Sequence, residues 1–210
     1  MSPRAADPEV RPKLVEAAAR ILGEEGPAAL TSRRLAAEVG TSTMAVFSRF
    51  RSMAEIHYAV RQEGFTRLHT ALDALPRTAD PVTDLVAACD ELFAAGVRNP
   101  HLYRAMFIER PPEADDLGVG TYTRLVALVR RCVDAGRFPA AGGLPAAPEV
   151  WAAQLWSMRH GLVTMAIAGL LPPGQVRFVL DDMTLRLLIG YGDDPAHARV
   201  SISTGGQWHE

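Results

Sequence analysis

Apolar residues recur at helical spacing along nearly all of this chain, and no segment shows a comparably strong strand alternation. Leu14, Ala17, Ala18, Ile21 and Leu22 mark the inner face of a first helix that stops near Gly23 and Gly26. Thr31-Ser32 supply an N-cap for a second, short helix with Leu35, Ala36 and Val39 on one face, and Gly40 ends it. Ser42 caps a third, whose Val46 and Phe50 point inward. A fourth is predicted from Ser52 toward Leu75, with Ile56, Val60, Phe65, Leu68 and Leu72 inward, ending before Pro76. Further helices are predicted from about Pro81 to Arg98, from Asn99-Pro100 to the Pro111-Pro112 stop, and from about Gly120 to Asp134. Phe138 to Pro148 reads as a loop rich in Ala, Gly and Pro, and the last two helices, Pro148 to Leu170 and Pro173 to Tyr191, are the most apolar. The expected fold class is all-α, with a small N-terminal domain over 1–56, a larger helical domain over 57–192 and a loosely held tail over 193–210.

The hairpin Leu35 to Phe50, two short helices hinged at a glycine, has the layout of a DNA-reading helix-turn-helix. Thr43, Met44, Phe47 and Ser48 face outward at the start of the second helix, where side chains reach base edges. Met44, Ala45 and Phe47 suit thymine methyl groups. Arg33 and Arg34 before the unit, and Arg49 and Arg51 after it, stand where phosphates flank a docked helix. Thr31, Ser42 and Ser52 complete the candidate DNA-binding set. The same layout also joins purely structural helical hairpins.

Residues 10 to 56 as a whole, from Val10-Arg11-Pro12-Lys13-Leu14 through Ser48-Arg49-Phe50-Arg51-Ser52-Met53, resemble the DNA-binding domain of the tetracycline-repressor family. The chain departs from that family at two places. Members carry Gly-Thr-Leu-Tyr where this chain has Met44-Ala45-Val46-Phe47, and Ser-Lys where it has Ser52-Met53, so two hydroxyls and an ammonium are missing. Farther on, Trp156-x-x-x-His160-Gly161 and Asn99 to Phe107 resemble the effector domain of a branch of that family named for Trp-His-Gly. The resemblance implies a ligand pocket drawn from Phe65, Leu68, Tyr103, Met106, Phe107, Trp156, His160 and Thr164. For His160 the favoured reading is a core histidine bonded to a backbone carbonyl, and Trp156, Tyr103 and Phe107 likewise belong more often to a core than to a pocket.

In the final helix Val176, Val179, Leu180, Met183, Leu187 and Gly190 form one apolar stripe, and Phe178, Leu185, Leu188 and Ile189 a second. A surface helix needs only one. The second stripe implies a homodimer closed by a four-helix bundle, with Trp151, Leu155, Leu162, Val176, Val179, Met183 and Leu187 at the interface. Both helices lying at the centre of a monomer is the competing arrangement. Two subunits would present two reading helices to the halves of a palindromic double-stranded operator.

Charge refines this picture without changing it. Residues 1–67 hold ten Arg or Lys against eight Asp or Glu, and residues 68–210 hold twelve against sixteen, so the N-terminal part is mildly basic. Lys13 is the single lysine, a bias of GC-rich coding that points to a bacterial source. The first ten residues lack the apolar core of a secretory signal, and Pro172-Pro173-Gly174 breaks the longest apolar run, so a cytoplasmic protein with no membrane span is expected. Cys89 and Cys132 read as buried thiols. Scattered histidines, no Cys/His ligand spacing and no phosphate-cradling glycine loop leave no expected metal, cofactor or catalytic residue. Asp181-Asp182 and Asp193-Asp194 read as solvated ends, not as an acid-base pair. The expectation is a homodimeric repressor, released from its operator by a small apolar or amphipathic effector. Two alternatives stay open: an activator or ligand-independent regulator, and an interaction module or enzyme that has lost DNA binding.

Overall fold

The computed structural model describes residues 10–108, 116–139 and 147–206. Within them the chain folds into ten α-helices with one 3-10 turn and no strand. They form two compact units, Met1–Arg67 with Asn99–Leu117 and Leu68–Arg98 with Gly118–Glu210. This division differs from the expected boundary at residue 56.

The first unit holds α1 (Val10–Glu25), a 3-10 turn (Pro27–Ala29), α2 (Ser32–Val39), α3 (Thr43–Arg49), the start of α4 (Met53–Asp73) and α6 (Pro100–Phe107). Its core is Leu14, Ala18, Ile21, Leu22, Leu35, Val46, Phe50, Ile56 and Val60, all of them at most 1% exposed. Side-chain caps fix where each short helix starts. Thr31 Oγ1 accepts from Arg34 N–H and Ser42 Oγ from Ala45 N–H, each at 3.1 Å. Such caps contribute about 1 kcal/mol each. At α4, Ser52 Oγ accepts from Glu55 N–H at 3.2 Å, while Glu55 Oε2 accepts from Arg51 N–H at 2.8 Å. The short helix α6 was expected in the larger domain, yet it lies against α1 and buries Leu102, Tyr103, Ala105 and Met106 there. Periodicity identifies which face of such a helix is buried, but not the partner it is buried against.

The second unit is built from the end of α4 with α5 (Pro81–Arg98), α7 (Val119–Asp134), α8 (Pro148–Ile167), α9 (Pro173–Gly190) and α10 (Pro195–Gly205). Val82, Leu85, Val86, Val129, Cys132, Ala152, Leu155, Val163, Leu180 and Leu188 form its core. Phe138, at the start of the expected loop, is fully buried, edge-on to Trp151 at 6.0 Å and to Tyr191 at 5.4 Å. Cys89 and Cys132 are free and buried. Among the described residues no helix is long and apolar enough to cross a membrane.

Three expectations are corrected here. The tail beyond residue 192 carries a helix, α10, capped by Asp194 Oδ1 accepting from Ala196 and His197 N–H, with Ala198, Ser201 and Ile202 buried. At its end a Cβ on Gly205 would stand 2.6 Å from the Thr83 carbonyl oxygen, so only glycine lets α10 approach α5 this closely. Asp193 is not solvated. Its side chain is 1% exposed and takes both arms of Arg137, at 2.7 and 2.8 Å, while Arg137 also meets Asp80 at 2.5 Å and Ser201 Oγ donates to Asp80. Finally, α9 does not present two clean stripes. Leu180, Thr184 and Leu188, one turn apart, face the core, and members of both expected stripes, Met183 and Phe178, are exposed.

Candidate nucleic-acid interface and cavity

The turn between α2 and α3 follows from Gly40, which sits at φ 67° and ψ 37°, the left-handed region that glycine enters without penalty. Its N–H reaches Ala37 O at 3.2 Å and Thr41 N–H reaches Ala36 O at 2.8 Å, closing the end of α2 in a Schellman arrangement. Val46 and Phe50 bury the inner side of α3, which fixes the rest of its circumference outward. Thr43, Met44, Phe47 and Ser48 are exposed, Met44 at 81%, and Ala45 is half-buried. Ser48 Oγ donates to Ala45 O at 2.7 Å. The exposed surface of α3 is therefore a ridge of one thioether and one aromatic ring, flanked by hydroxyls.

The arginines differ in what they are free to do. Arg33 and Arg51 are exposed, and Arg49 is half-buried on the last turn of α3. Arg34 is engaged inside its own unit: Nη2 meets Glu25 Oε1 at 2.6 Å and Nη1 binds Glu38, which also receives Arg20. Hydrogen bonds from Arg34 and then Arg20 hold the Glu38 carboxyl below the usual carboxylate range. Arg34 thus ties α2 to the end of α1. Arg11, which sequence reasoning did not single out, sits over the Phe50 ring at 4.9 Å and adds a cation on the unit's surface. Its position in α1 gave no signal, since only the folded unit brings it to the end of α3.

The second unit contains a cavity of about 430 Å³. Leu92, Leu125, Leu128 and Trp156 line it with Cys89, and the buried Arg159 borders it. Of the eight expected pocket residues, Trp156 alone lines this cavity. Phe65, Tyr103, Met106 and Phe107 instead cluster in the first unit, with Phe107 at 5.2 Å from Phe65 and 5.1 Å from Tyr103. Leu68 is buried, and Thr164 is exposed with Oγ1 donating to His160 O at 2.8 Å. His160 lies against Trp156 with ring centroids 4.3 Å apart, and burial lowers its pKa to about 4. Sequence reasoning missed Arg159 because an arginine in the middle of an apolar helix reads as a solvated position.

Outside the cavity, α8 and α9 carry an open groove lined by Val150, Gln154, Ser157, Met158, Met183 and Leu187. Val150 is 55% exposed and Met183 39%. Two residues expected at an interface, Leu155 and Leu162, are internal to the unit at 1% and 4% exposed, while Trp151 is half-buried and stacks on Tyr191 at 4.9 Å. Val176, Val179 and Leu187 are half-buried.

Residues 85–189 match the family model described as the tetracyclin repressor-like C-terminal domain, and residues 14–60 match the model for bacterial regulatory proteins of the tetR family. An uncharacterized HTH-type transcriptional regulator of Mycobacterium tuberculosis is 28% identical over 183 residues, spanning 86% of this chain and 80% of the relative. A protein of unknown function from Rhodococcus sp. RHA1 superimposes with a TM-score of 0.76 at 22% identity, over 90% of this chain and 98% of that one. RolR in complex with resorcinol superimposes with a TM-score of 0.65 at 17% identity, over 93% of each chain.

Proposed function

The chain belongs to the tetracycline-repressor family and is a DNA-binding transcriptional regulator; from that premise we propose that it acts as a homodimeric repressor, released from a palindromic operator by a small apolar or amphipathic molecule. The observation that carries the reading is the outer face of α3, where Met44 and Phe47 stand exposed on a helix whose start is fixed by Ser42 and Gly40. Side chains this apolar are costly to leave in water, and thymine methyl groups in a major groove are a fitting cover. Arg33, Arg49 and Arg51 supply the phosphate contacts, and Arg34 shapes the motif instead of touching DNA.

The second copy docks on the exposed strip of α8 and α9 around Val150, Ser157, Met183 and Leu187. Twofold pairing of that strip gives the reading helices their second half-site. The effector enters the cavity beside Trp156, and the RolR complex with resorcinol supports a small-molecule ligand. Release works through α4, which is one continuous helix from Met53 to Asp73 and lines the cavity with Leu72 and Asp73. A ligand that binds one tilt of α4 better than another shifts the protein toward the state with lower operator affinity.

Fluorescence anisotropy with duplexes from the chain's own upstream region, run at low salt alongside sedimentation of the complex, tests the proposal. A saturable complex of two chains per duplex is expected. Binding no tighter than to unrelated DNA, or a single chain on a full site, would refute it.

A further inference from the structure

The exposed residues of α3 are Thr43, Met44, Phe47 and Ser48, with Ala45 half-buried between them. Side chains that single out one base in the major groove do so with a fork, arginine on O6 and N7 of guanine, asparagine or glutamine on N6 and N7 of adenine. None of these types stands among the exposed residues of α3. Arg49, half-buried on the last turn, and Arg51 beyond it lie at the far end of the helix from Thr43 and Met44. The two hydroxyls discriminate little, since a hydroxyl both donates and accepts. That of Ser48 already gives its proton to Ala45 O at 2.7 Å.

The choice of base therefore falls to Met44 and Phe47. Met44 is 81% exposed and Phe47 46%, whereas Val46 and Phe50 on the inner side are at most 1% exposed, so both outer side chains project from the unit. Residues three apart adjoin on a helix surface, about 5–6 Å between Cβ atoms. That reach covers one to two base-pair steps of about 3.4 Å each. Neither side chain has a hydrogen-bond donor, and the apolar group that a base edge offers them is the methyl on C5 of thymine. In 5-methylcytosine the same methyl sits on the same carbon. Thymine O4 and cytosine N4 are what tell these two bases apart, and a strong polar partner for them is what Met44 and Phe47 lack.

We propose that Met44 and Phe47 set operator choice by reading the C5 methyl and not the base that carries it, so that the chain accepts 5-methylcytosine where it accepts thymine. Cytosine methylation then strengthens its binding. This rests on the operator reading above, in which the outer face of α3 enters the major groove.

Duplexes enriched from a random pool by the full chain at low salt supply the site, and fluorescence anisotropy reads replacements within it. Exchanging thymine for uracil removes the methyl alone, and at each contacted position binding should weaken about fourfold. With a cytosine–guanine pair placed there, 5-methylation leaves the hydrogen-bonding edge intact and should tighten binding about fourfold. Met44→Ala and Phe47→Ala should each abolish the uracil effect at one position and keep it at the other. Both positions are exposed, and unchanged melting checks that the variants fold. The inference is overturned if no exchange to uracil weakens binding, if methylated and plain cytosine bind alike at the sensitive positions, or if both variants keep the full uracil effect. A chain that enriches no sequence overturns the operator reading as well, whereas an enriched site indifferent to methyl groups overturns this inference alone.

Discussion

Single positions in this chain divide into those that shape the reading motif and those that face outward from it. Gly40 shapes it: a Cβ there would meet nothing within 4 Å, so Gly40→Ala carries only the backbone cost of a left-handed φ. That cost is about 1 kcal/mol, and thermal unfolding should fall by about 2–4 °C. Phe47 faces outward. Phe47→Ala should leave stability within about 0.5 kcal/mol of the parent and weaken operator binding about tenfold, read by melting and anisotropy together. His160 behaves differently again, because burial lowers its pKa from 6.5 to about 4. Between those values the unfolded chain binds a proton that the folded chain refuses, so stability rises with pH and is lost as pH falls from 6.5 toward 4. The loss attributable to His160 is on the order of 2 kcal/mol, and His160→Gln should flatten that part of a urea-midpoint against pH curve.

Among the elements, α10 has the most to say about how local signals and packing combine. Asp194-Pro195-Ala196 is a helix-start signature, a capping side chain followed by proline at the first turn, and it was legible in the sequence. The expectation of a loosely held tail passed over that signal, and the burial of Ala198 and Ile202 secures the helix. The anchor is the pair of Arg137 and Asp193, whose carboxylate is 1% exposed. Removing one partner strands a buried charge, so Asp193→Ala should cost about 3 kcal/mol or more. Asp73→Ala, which breaks an ion pair at 60% and 43% exposure, should leave the same urea titration nearly unchanged. Helix α6 teaches a related lesson, since its apolar face was evident while its partner, α1, was not.

For the whole molecule, the decisive question is which apolar residues are left over once each unit has closed its own core. Leu155 and Leu162 are consumed internally, whereas Met183 and Leu187 border an open groove. Met183→Glu combined with Leu187→Glu should therefore leave helicity unchanged, shift sedimentation from dimer to monomer and lower operator affinity. Leu155→Glu should instead fail to fold. A double variant that stays dimeric would move the interface elsewhere on the chain.

The sequence by itself determined the helical class, the positions of the caps and the reading hairpin, because each depends on residues within a few positions of one another. Thr31, Ser42 and Gly40 act on backbone groups three to five residues away, so their meaning is local. The cavity depended on distant segments. Leu92 from α5, Leu125 from α7 and Trp156 from α8 come together only when three helices are assembled, and the same assembly decides that Leu155 is core while Met183 is surface. Helical periodicity gives every apolar face the same appearance, and only tertiary packing assigns each face to a core, a cavity or a partner.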